Sequence, residues 1–213
     1  AVDLAIARQY LDVPVANVSD CMARMTAGGA RLRPMHAGGR MAGPALTVKA
    51  RPGDNLMVHK ALMLAQPGDV IVVDAGGDLT NALIGEIMVG DAVLKKLGGI
   101  VINGAIRDAD ELRRINFPVF AAGVTHRGPY KDGPGEINVP IAIDGMVIAP
   151  GDLVIGDGDG LLCVPFDDAE ALLQAARQKQ AIEARMVTGI ADGSYDRSWV
   201  DATLTRLGCH IES

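Results

Sequence analysis

An arginine and an aspartate stand side by side in the stretch VINGAIRDADEL, as Arg107 and Asp108. They follow an apolar run and an Asn103-Gly104 pair. The two charges suit different parts of one ligand. A guanidinium presents a fork of N–H donors that matches a carboxylate. An adjacent aspartate repels that carboxylate but suits a hard divalent cation, which prefers oxygen ligands and keeps several waters. Together the pair could hold a 2-oxo acid, with Arg107 on the carboxylate and a cation at Asp108 on the oxo group. The plainer reading makes Asp108 the cap of a helix over 108–115 and Arg107 a surface charge. A turn at Gly104 is expected to place both residues at the C-terminal end of a strand, where parallel α/β sheets put their ligand crevices.

A second candidate lies upstream, in GGDLTNALIGEIMVGDAVLKKLGG (76–99). A helix is expected to open near Gly85-Glu86. Its first amides, about Glu86 to Met88, lack partners inside the helix and form an anion site at the positive end of the dipole. A bland βα turn, with Glu86 merely complementing the dipole, is the alternative. The third candidate is Glu183. It falls about 20° from Leu172 on a helical wheel, on the side of Ala176 and Met186. A carboxylate on that stripe needs a partner or a metal. Lys179 offers a salt bridge, in the less favourable order for a helix.

Other residues carry weaker signals. The loop THRGPYKDGPG (125–135) contains His126, Arg127 and Lys131, which could hold a second carboxylate or be solvated charges. Asp54 and Asn55 in RPGDN read as a turn and helix cap rather than as crevice residues. His59 reads as a packed histidine. DGDG (157–160) reads as a turn, because no glutamate follows at the spacing of an EF-hand loop. No GxxxxGK[ST] loop, no GxGxxG after a strand and no GxSxG elbow occurs.

These residues need elements to position them. Helices are expected at 2–11, 18–25 (capped by Asn17 or Ser19), 55–65, 86–97 (stopped by Gly98-Gly99) and 108–115. Strands are expected at about 45–51, after QPGD, at 100–103 and at 118–121. The middle of the chain thus alternates strand and helix, the pattern of a parallel sheet. Beyond Pro134 the texture changes to four short antiparallel strands, with Asp144-Gly145 as a hairpin turn and Pro150-Gly151-Asp152 as another. PGDVIVVDAGGD and PGDLVIGDGDG echo each other without making a repeat protein. A long helix over about 168–188 closes the pattern, with Asp167 as cap, Glu170 three residues on and Gly189 as stop. At ~1.5 Å per residue it is roughly 30 Å long, about the width of a small domain, and is expected to reach a neighbouring subunit. No linker divides the chain, so a single domain over 1–213 is expected.

Bulk properties exclude some functions. Of 213 residues, aromatics are 3% and the net charge is −6. An acidic chain of pI near 5.1 argues against nucleic acid as main partner. Three scattered cysteines, Cys21, Cys163 and Cys209, fit free thiols in a reducing compartment. No basic, apolar leader and no apolar stretch of ~18–20 residues is seen, so a cytoplasmic protein without a membrane partner is expected.

PGDVIVVDAGGDLTNALIGEIM followed by GIVINGAIRD resembles a known family. It contains the regulator of ribonuclease activity A and the 4-hydroxy-4-methyl-2-oxoglutarate / 4-carboxy-4-hydroxy-2-oxoadipate aldolases. The similarity runs over roughly residues 10–190. It implies an α/β fold, a β/β/α swivelling-type domain with mixed parallel and antiparallel strands, assembled as a trimer or dimer of trimers. It also implies a metal-dependent aldolase site. Arg107 and Asp108 would bind pyruvate and Mg2+ or Mn2+. Gly85, Glu86 and the amides of Ile87 and Met88 would complete the pocket, and Glu183 would enter from the adjacent subunit. The implied reaction is retro-aldol cleavage of a 4-hydroxy-2-oxo acid, with oxaloacetate decarboxylation alongside. The regulator branch, non-enzymatic, is the alternative. Asn103 stands where the family more often has Asp, and the acidic residue of the pocket is Glu86 rather than Asp.

Overall fold

The computed structural model describes residues 1–26, 28 and 30–210. Two short helices open the chain, α1 (Leu4–Gln9) and α2 (Val15–Cys21). Asp3 caps α1 by accepting the Ala5 amide at 2.6 Å. α2 begins three residues before the expected start, with Pro14 rather than Asn17 or Ser19 at its N-cap. Proline suits that place because it has no N–H to leave unpaired. Strands β1 (Arg33–Pro34) and β2 (Met41–Ala50) follow, then α3 (Leu56–Leu64). Next come β3 (Val70–Asp74), β4 (Ala82–Ile84), α4 (Glu86–Leu94), β5 (Gly99–Ile106), α5 (Ala109–Ile115) and β6 (Val119–Val124). The β-rich segment supplies β7 (Gly135–Ile137), β8 (Ile141–Ile143), β9 (Met146–Ile148), β10 (Leu153–Asp157) and β11 (Gly160–Val164).

One mixed sheet runs in the order β1-β6-β5-β3-β2-β10-β11, with β4 beside β5 and β7 beside β2. Its centre, β2-β3-β5-β6, is parallel, and β10 and β11 extend it antiparallel. The fold is therefore the expected α/β type with mixed strands and a long C-terminal helix. β3 and β5 read as continuous apolar runs because both faces are covered. Ile71, Val73, Ile100 and Ile102 face a core under α3, α4 and α5, whereas Val70, Val72 and Val101 face the β8–β9 hairpin. That hairpin turns at Asp144-Gly145, both with positive φ, as the sequence pattern anticipates.

Several boundaries differ from expectation for physical reasons. β5 does not turn at Gly104. It continues buried to Ile106, because its neighbours β4 and β6 extend the ladder as far as Ile106. α4 ends at Leu94, and Lys96 rather than Gly98 takes the left-handed conformation beyond it. β4, too short to show a periodicity, is not legible in sequence. The long helix α6 (Ala169–Asp192) runs through Gly189 and stops before Gly193, whose φ of +80° breaks it. A 3-10 turn, Phe166–Asp168, stands where the sequence pattern puts Asp167 as its cap.

The chain forms two compact units, Ala1–Ala176 and Arg177–Ser213. The second holds the outer part of α6 and a helix that the sequence pattern does not announce, α7 (Ser198–Leu207). Within it, the Tyr195 amide donates to the Gly189 carbonyl at 2.9 Å. Ile182, Met186, Val187 and Ile190 are exposed along α6. Among the described residues no helix is long and apolar enough to cross a membrane, and all three cysteines are free.

Candidate active site

β5 delivers Arg107 and Asp108 at its C-terminal end, as expected, although by continuing past Gly104, where its register against β6 shifts between Ile102 and Ala105. The Arg107 amide donates to the Ile84 carbonyl at 3.0 Å, tying the end of β5 to β4. Asp108 adopts a left-handed backbone, φ 59° and ψ 39°. Few residues other than glycine do so, and aspartate is among the more tolerant. Its backbone carbonyl accepts from Leu112 and opens α5, but its side chain makes no cap there. The carboxylate reaches instead to α4, where Oδ2 accepts the Glu86 amide at 3.0 Å. The same oxygen lies 3.8 Å from Arg107 Nε. Both side chains are over a third exposed. A pair so exposed contributes at most about 1 kcal/mol, so stability gives no reason for the arrangement.

Gly85 packs directly against the Asp108 carboxylate. Its φ of −151° is open to any residue. A Cβ there, however, would fall 2.2 Å from Asp108 Oδ2 and 3.0 Å from Arg107 Cγ. The residue that starts α4 is thus also the seat of the Asp108 carboxylate. The first helical amides follow directly. Glu86 gives its N–H to Asp108, and Val89 bonds back to Gly85 at 3.1 Å. The amides of Ile87 and Met88 donate to no group among the described residues. They point the positive end of the α4 dipole at whatever sits beside Arg107.

A cleft of about 240 Å3 opens here. Gly85, Met88, Arg107 and Asp108 line it, together with Asn55 and His59 from the start of α3. Lys131 reaches it from the 125–135 loop, whereas His126 and Arg127 do not line it. A larger and more open cleft of about 430 Å3 lies elsewhere, walled by Val15, Leu161 and Leu162. Of the two carboxylates that line it, Asp144 and Asp159, the first is already bonded to Arg31 at 2.7 Å. Size favours that cleft; convergent donors favour the smaller one, and the chemistry is decided by donors.

The RPGDN pattern puts Asp54 and Asn55 in a plain turn and cap. Asp54 does cap α3, its Oδ1 accepting the Leu56 amide at 2.9 Å. Its Oδ2 accepts the Asp132 and Gly133 amides at 2.6 and 2.9 Å, which fixes the loop bearing Lys131. Burial pulls the Asp54 carboxyl upward, but these amides and Arg51 together hold it below the usual range. The sequence reads Asn55 as part of a turn and cap and His59 as a packed histidine, and the structure corrects both readings by placing them at the cleft. Both lie in the cleft wall, four residues apart on one helical face. That spacing is the available signal. Burial, and then the nearby Lys131, hold the His59 imidazole below its ordinary pKa, so it is neutral at neutral pH.

The donor set at Asp108 is oxygen only. Its second oxygen takes no hydrogen bond among the described residues, which contain no cluster of three or more His, Cys, Asp or Glu side chains able to hold a metal. One open carboxylate fits a hard divalent cation that keeps most of its waters and takes oxygens from its ligand. It does not fit a structural zinc site. Glu183 belongs to the second compact unit, where Lys179 Nζ pairs with its Oε1 at 3.3 Å. The salt bridge that their spacing allows therefore forms.

Known proteins match this chain over most of its length. A family model described as RraA-like, Aldolase/RraA, matches residues 15–163. A protein of Halalkalibacterium halodurans named "Putative 4-hydroxy-4-methyl-2-oxoglutarate aldolase" is 41% identical over 184 residues, covering 86% of this chain and 88% of that protein. Among solved structures, an uncharacterized protein from Pseudomonas syringae superposes with a TM-score of 0.79 at 28% identity, covering 91% of this chain and 95% of that one. The RNA-processing inhibitor RraA from Thermus thermophilis gives 0.66 at 32% identity, covering 71% and 92%.

Proposed function

The chain belongs to the Aldolase/RraA family, and on that premise we propose that it is a divalent-metal-dependent class II pyruvate aldolase. As a carbon–carbon lyase it cleaves a 4-hydroxy-2-oxo acid, such as 4-hydroxy-4-methyl-2-oxoglutarate or 4-carboxy-4-hydroxy-2-oxoadipate, to pyruvate and a second 2-oxo acid. The observation that carries the reading is the convergence of Arg107 with the uncommitted amides of Ile87 and Met88 beside an open Asp108 carboxylate. Arg107 and the two amides bind the C1 carboxylate. Asp108 would hold Mg2+ or Mn2+, which supplies Lewis-acid stabilisation of charge on the 2-oxo oxygen when bound. Breaking C3–C4 leaves the enolate of pyruvate, and the α4 amides and Arg107 favour that negative charge from fixed positions. A water held by Glu86 and by Glu183 of a neighbouring copy relays the C4 hydroxyl proton to one of these carboxylates, which returns it to C3 of the enolate to give pyruvate. Oxaloacetate loses CO2 through the same enolate, so its decarboxylation is an expected side activity.

The proposed assembly is a homotrimer or a dimer of trimers. Apolar Ile182, Met186 and Ile190, exposed at intervals of four along α6, support a covered face there. Free cysteines support a reducing, cytoplasmic setting. The second reading, a non-enzymatic regulator, draws on the neighbour titled an RNA-processing inhibitor. It gives no reason for a glycine that exists to seat Asp108. The deciding experiment couples pyruvate release to lactate dehydrogenase, with oxaloacetate and 4-hydroxy-4-methyl-2-oxoglutarate as substrates. Mg2+-dependent release that disappears in Asp108→Ala is the expected result. No pyruvate from either substrate, at any Mg2+ concentration, would favour the regulator.

A further inference from the structure

Asn55 is 3% exposed and lines the cleft shared by Arg107 and Asp108. Its Nδ2 donates to the Leu83 carbonyl at 2.8 Å and to Met88 Sδ at 3.5 Å. Those bonds set the orientation of the amide, because a flip would press its oxygen against the Leu83 carbonyl. Its Oδ1 is left as the one buried side-chain nitrogen or oxygen without a hydrogen-bond partner among the described residues. Buried acceptors are rarely left so, and each exception calls for an explanation. Here the explanation has a direction. An amide oxygen only accepts, so its missing partner is a donor. Carboxylates and oxo groups donate nothing.

We propose that Asn55 Oδ1 reads the C4 hydroxyl of the substrate, making it the residue that distinguishes a 4-hydroxy-2-oxo acid from its deoxy counterpart. The inference rests on the reading of this cleft as an aldolase site. In such a substrate, with its carboxyls ionised, the C4 hydroxyl is the donor that remains. Asn55 orients that O–H and takes no proton, since a neutral amide is no base at neutral pH. Lys131, in the same cleft, places a cation within reach of the carboxylate at the far end of the chain. The neutral His59, one turn along α3, adds a group that repels neither end.

The test compares 4-hydroxy-2-oxoglutarate with 2-oxoglutarate, which lacks the hydroxyl and cannot undergo the cleavage. In the unmodified protein with Mg2+, the hydroxylated acid should compete against oxaloacetate decarboxylation, followed by CO2 release, at least about tenfold more tightly than 2-oxoglutarate does. In Asn55→Leu, kcat/KM for the hydroxylated acid should fall about 10- to 100-fold. The inhibition constant of 2-oxoglutarate should rise by much less, so that the preference for the hydroxylated acid shrinks about tenfold or more. Equal affinity of the two acids in the unmodified protein would overturn the assignment whether or not the variant folds. So would equal weakening of both in Asn55→Leu, which would mark the residue as structural. If neither acid binds at all, the aldolase reading itself fails and takes this inference with it.

Discussion

Two stretches of the chain share a local code and end in different places. PGDVIVVD (67–74) and PGDLVIGD (150–157) both begin with a Pro-Gly-Asp turn. Gly68 and Gly151 both have positive φ, at 94° and 86°. Asp69 accepts the Gln66 amide at 2.8 Å, and Asp152 accepts the Ala149 amide at 2.9 Å, three residues back in each case. The strands that follow, β3 and β10, are both buried and both end in aspartate. From there they diverge. β3 lies between parallel strands and must leave by a crossover, which carries the chain through β4 and α4 before β5 returns. β10 lies between antiparallel strands and returns at once in a hairpin to β11. A parallel connection needs a long excursion, and its open end is where ligands bind. The hairpin instead uses its aspartate for structure. The oxygens of Asp157 accept the Val15 and Asp159 amides at 2.9 and 3.0 Å. The motif alone makes a turn and a strand; the kind of neighbour decides whether chemistry can sit beyond it.

That contrast can be broken experimentally. At the crossover edge, changes should harm function and spare the fold; at the hairpin edge, function should be spared. Arg107→Ala removes a charge-assisted contact and should weaken oxalate or pyruvate binding about 10- to 100-fold by calorimetry, with an unchanged melting temperature. Unchanged binding would leave the crossover edge no different from the hairpin. Gly85→Ala should cost about tenfold in kcat/KM, because the new Cβ occupies the seat of the Asp108 carboxylate. Gly158→Ala, in the hairpin turn with nothing within 4 Å of the added carbon, should change neither rate nor stability. Equal rates for the two variants would show that Asp108 shifts freely.

The Pro-Gly-Asp turns sharpen the comparison from the side of stability. Asp152 is buried and also accepts the Phe166 amide at 3.1 Å and the Cys163 thiol at 3.7 Å. Burial, and then Asp152, push that thiol well above its usual range, so it stays protonated. Asp152→Ala leaves amides unpaired and should cost about 1–3 kcal/mol in denaturant unfolding. Asp69→Ala, where a single amide is lost at a half-exposed site, should cost no more than about 1 kcal/mol. The smallest effect is expected from His59, which belongs to the crossover side alone. Its pKa is lowered on folding, so the unfolded chain binds more protons just below the usual imidazole value. Stability should therefore rise with pH through that window and level off above it. In His59→Leu this part of the slope should vanish; an identical pH profile would remove His59 from the titrating groups.

Much of the fold is legible in the amino-acid sequence. Helix starts at Glu86 and Ala109, the buried runs of β3 and β5, and the Asp144-Gly145 hairpin follow from periodicity and turn chemistry. These depend on residues a few positions apart. Arg107-Asp108 at a strand end and the amides of Ile87 and Met88 are readable for the same reason. The end of β5 is not, because Gly104 signals a turn locally while β4 and β6 keep the ladder going to Ile106. β4 and α7 are not legible either: one is a three-residue strand, the other lies beyond the stretch that family resemblance covers.

Local order thus set which helices and strands could form and where the Asp108 carboxylate and the open amides at the start of α4 would stand. Only the folded chain decided that Asp108 turns away from its own helix to meet Glu86, and that its carboxylate lies where a side chain at Gly85 would stand. Only folding brought Asn55 and His59 from α3, and Lys131 from a distant loop pinned by Asp54, to the same cleft. The reason is range. Helix and turn preferences act over three or four residues, whereas a site assembled across a parallel sheet depends on contacts between segments up to 76 residues apart, from Asn55 to Lys131.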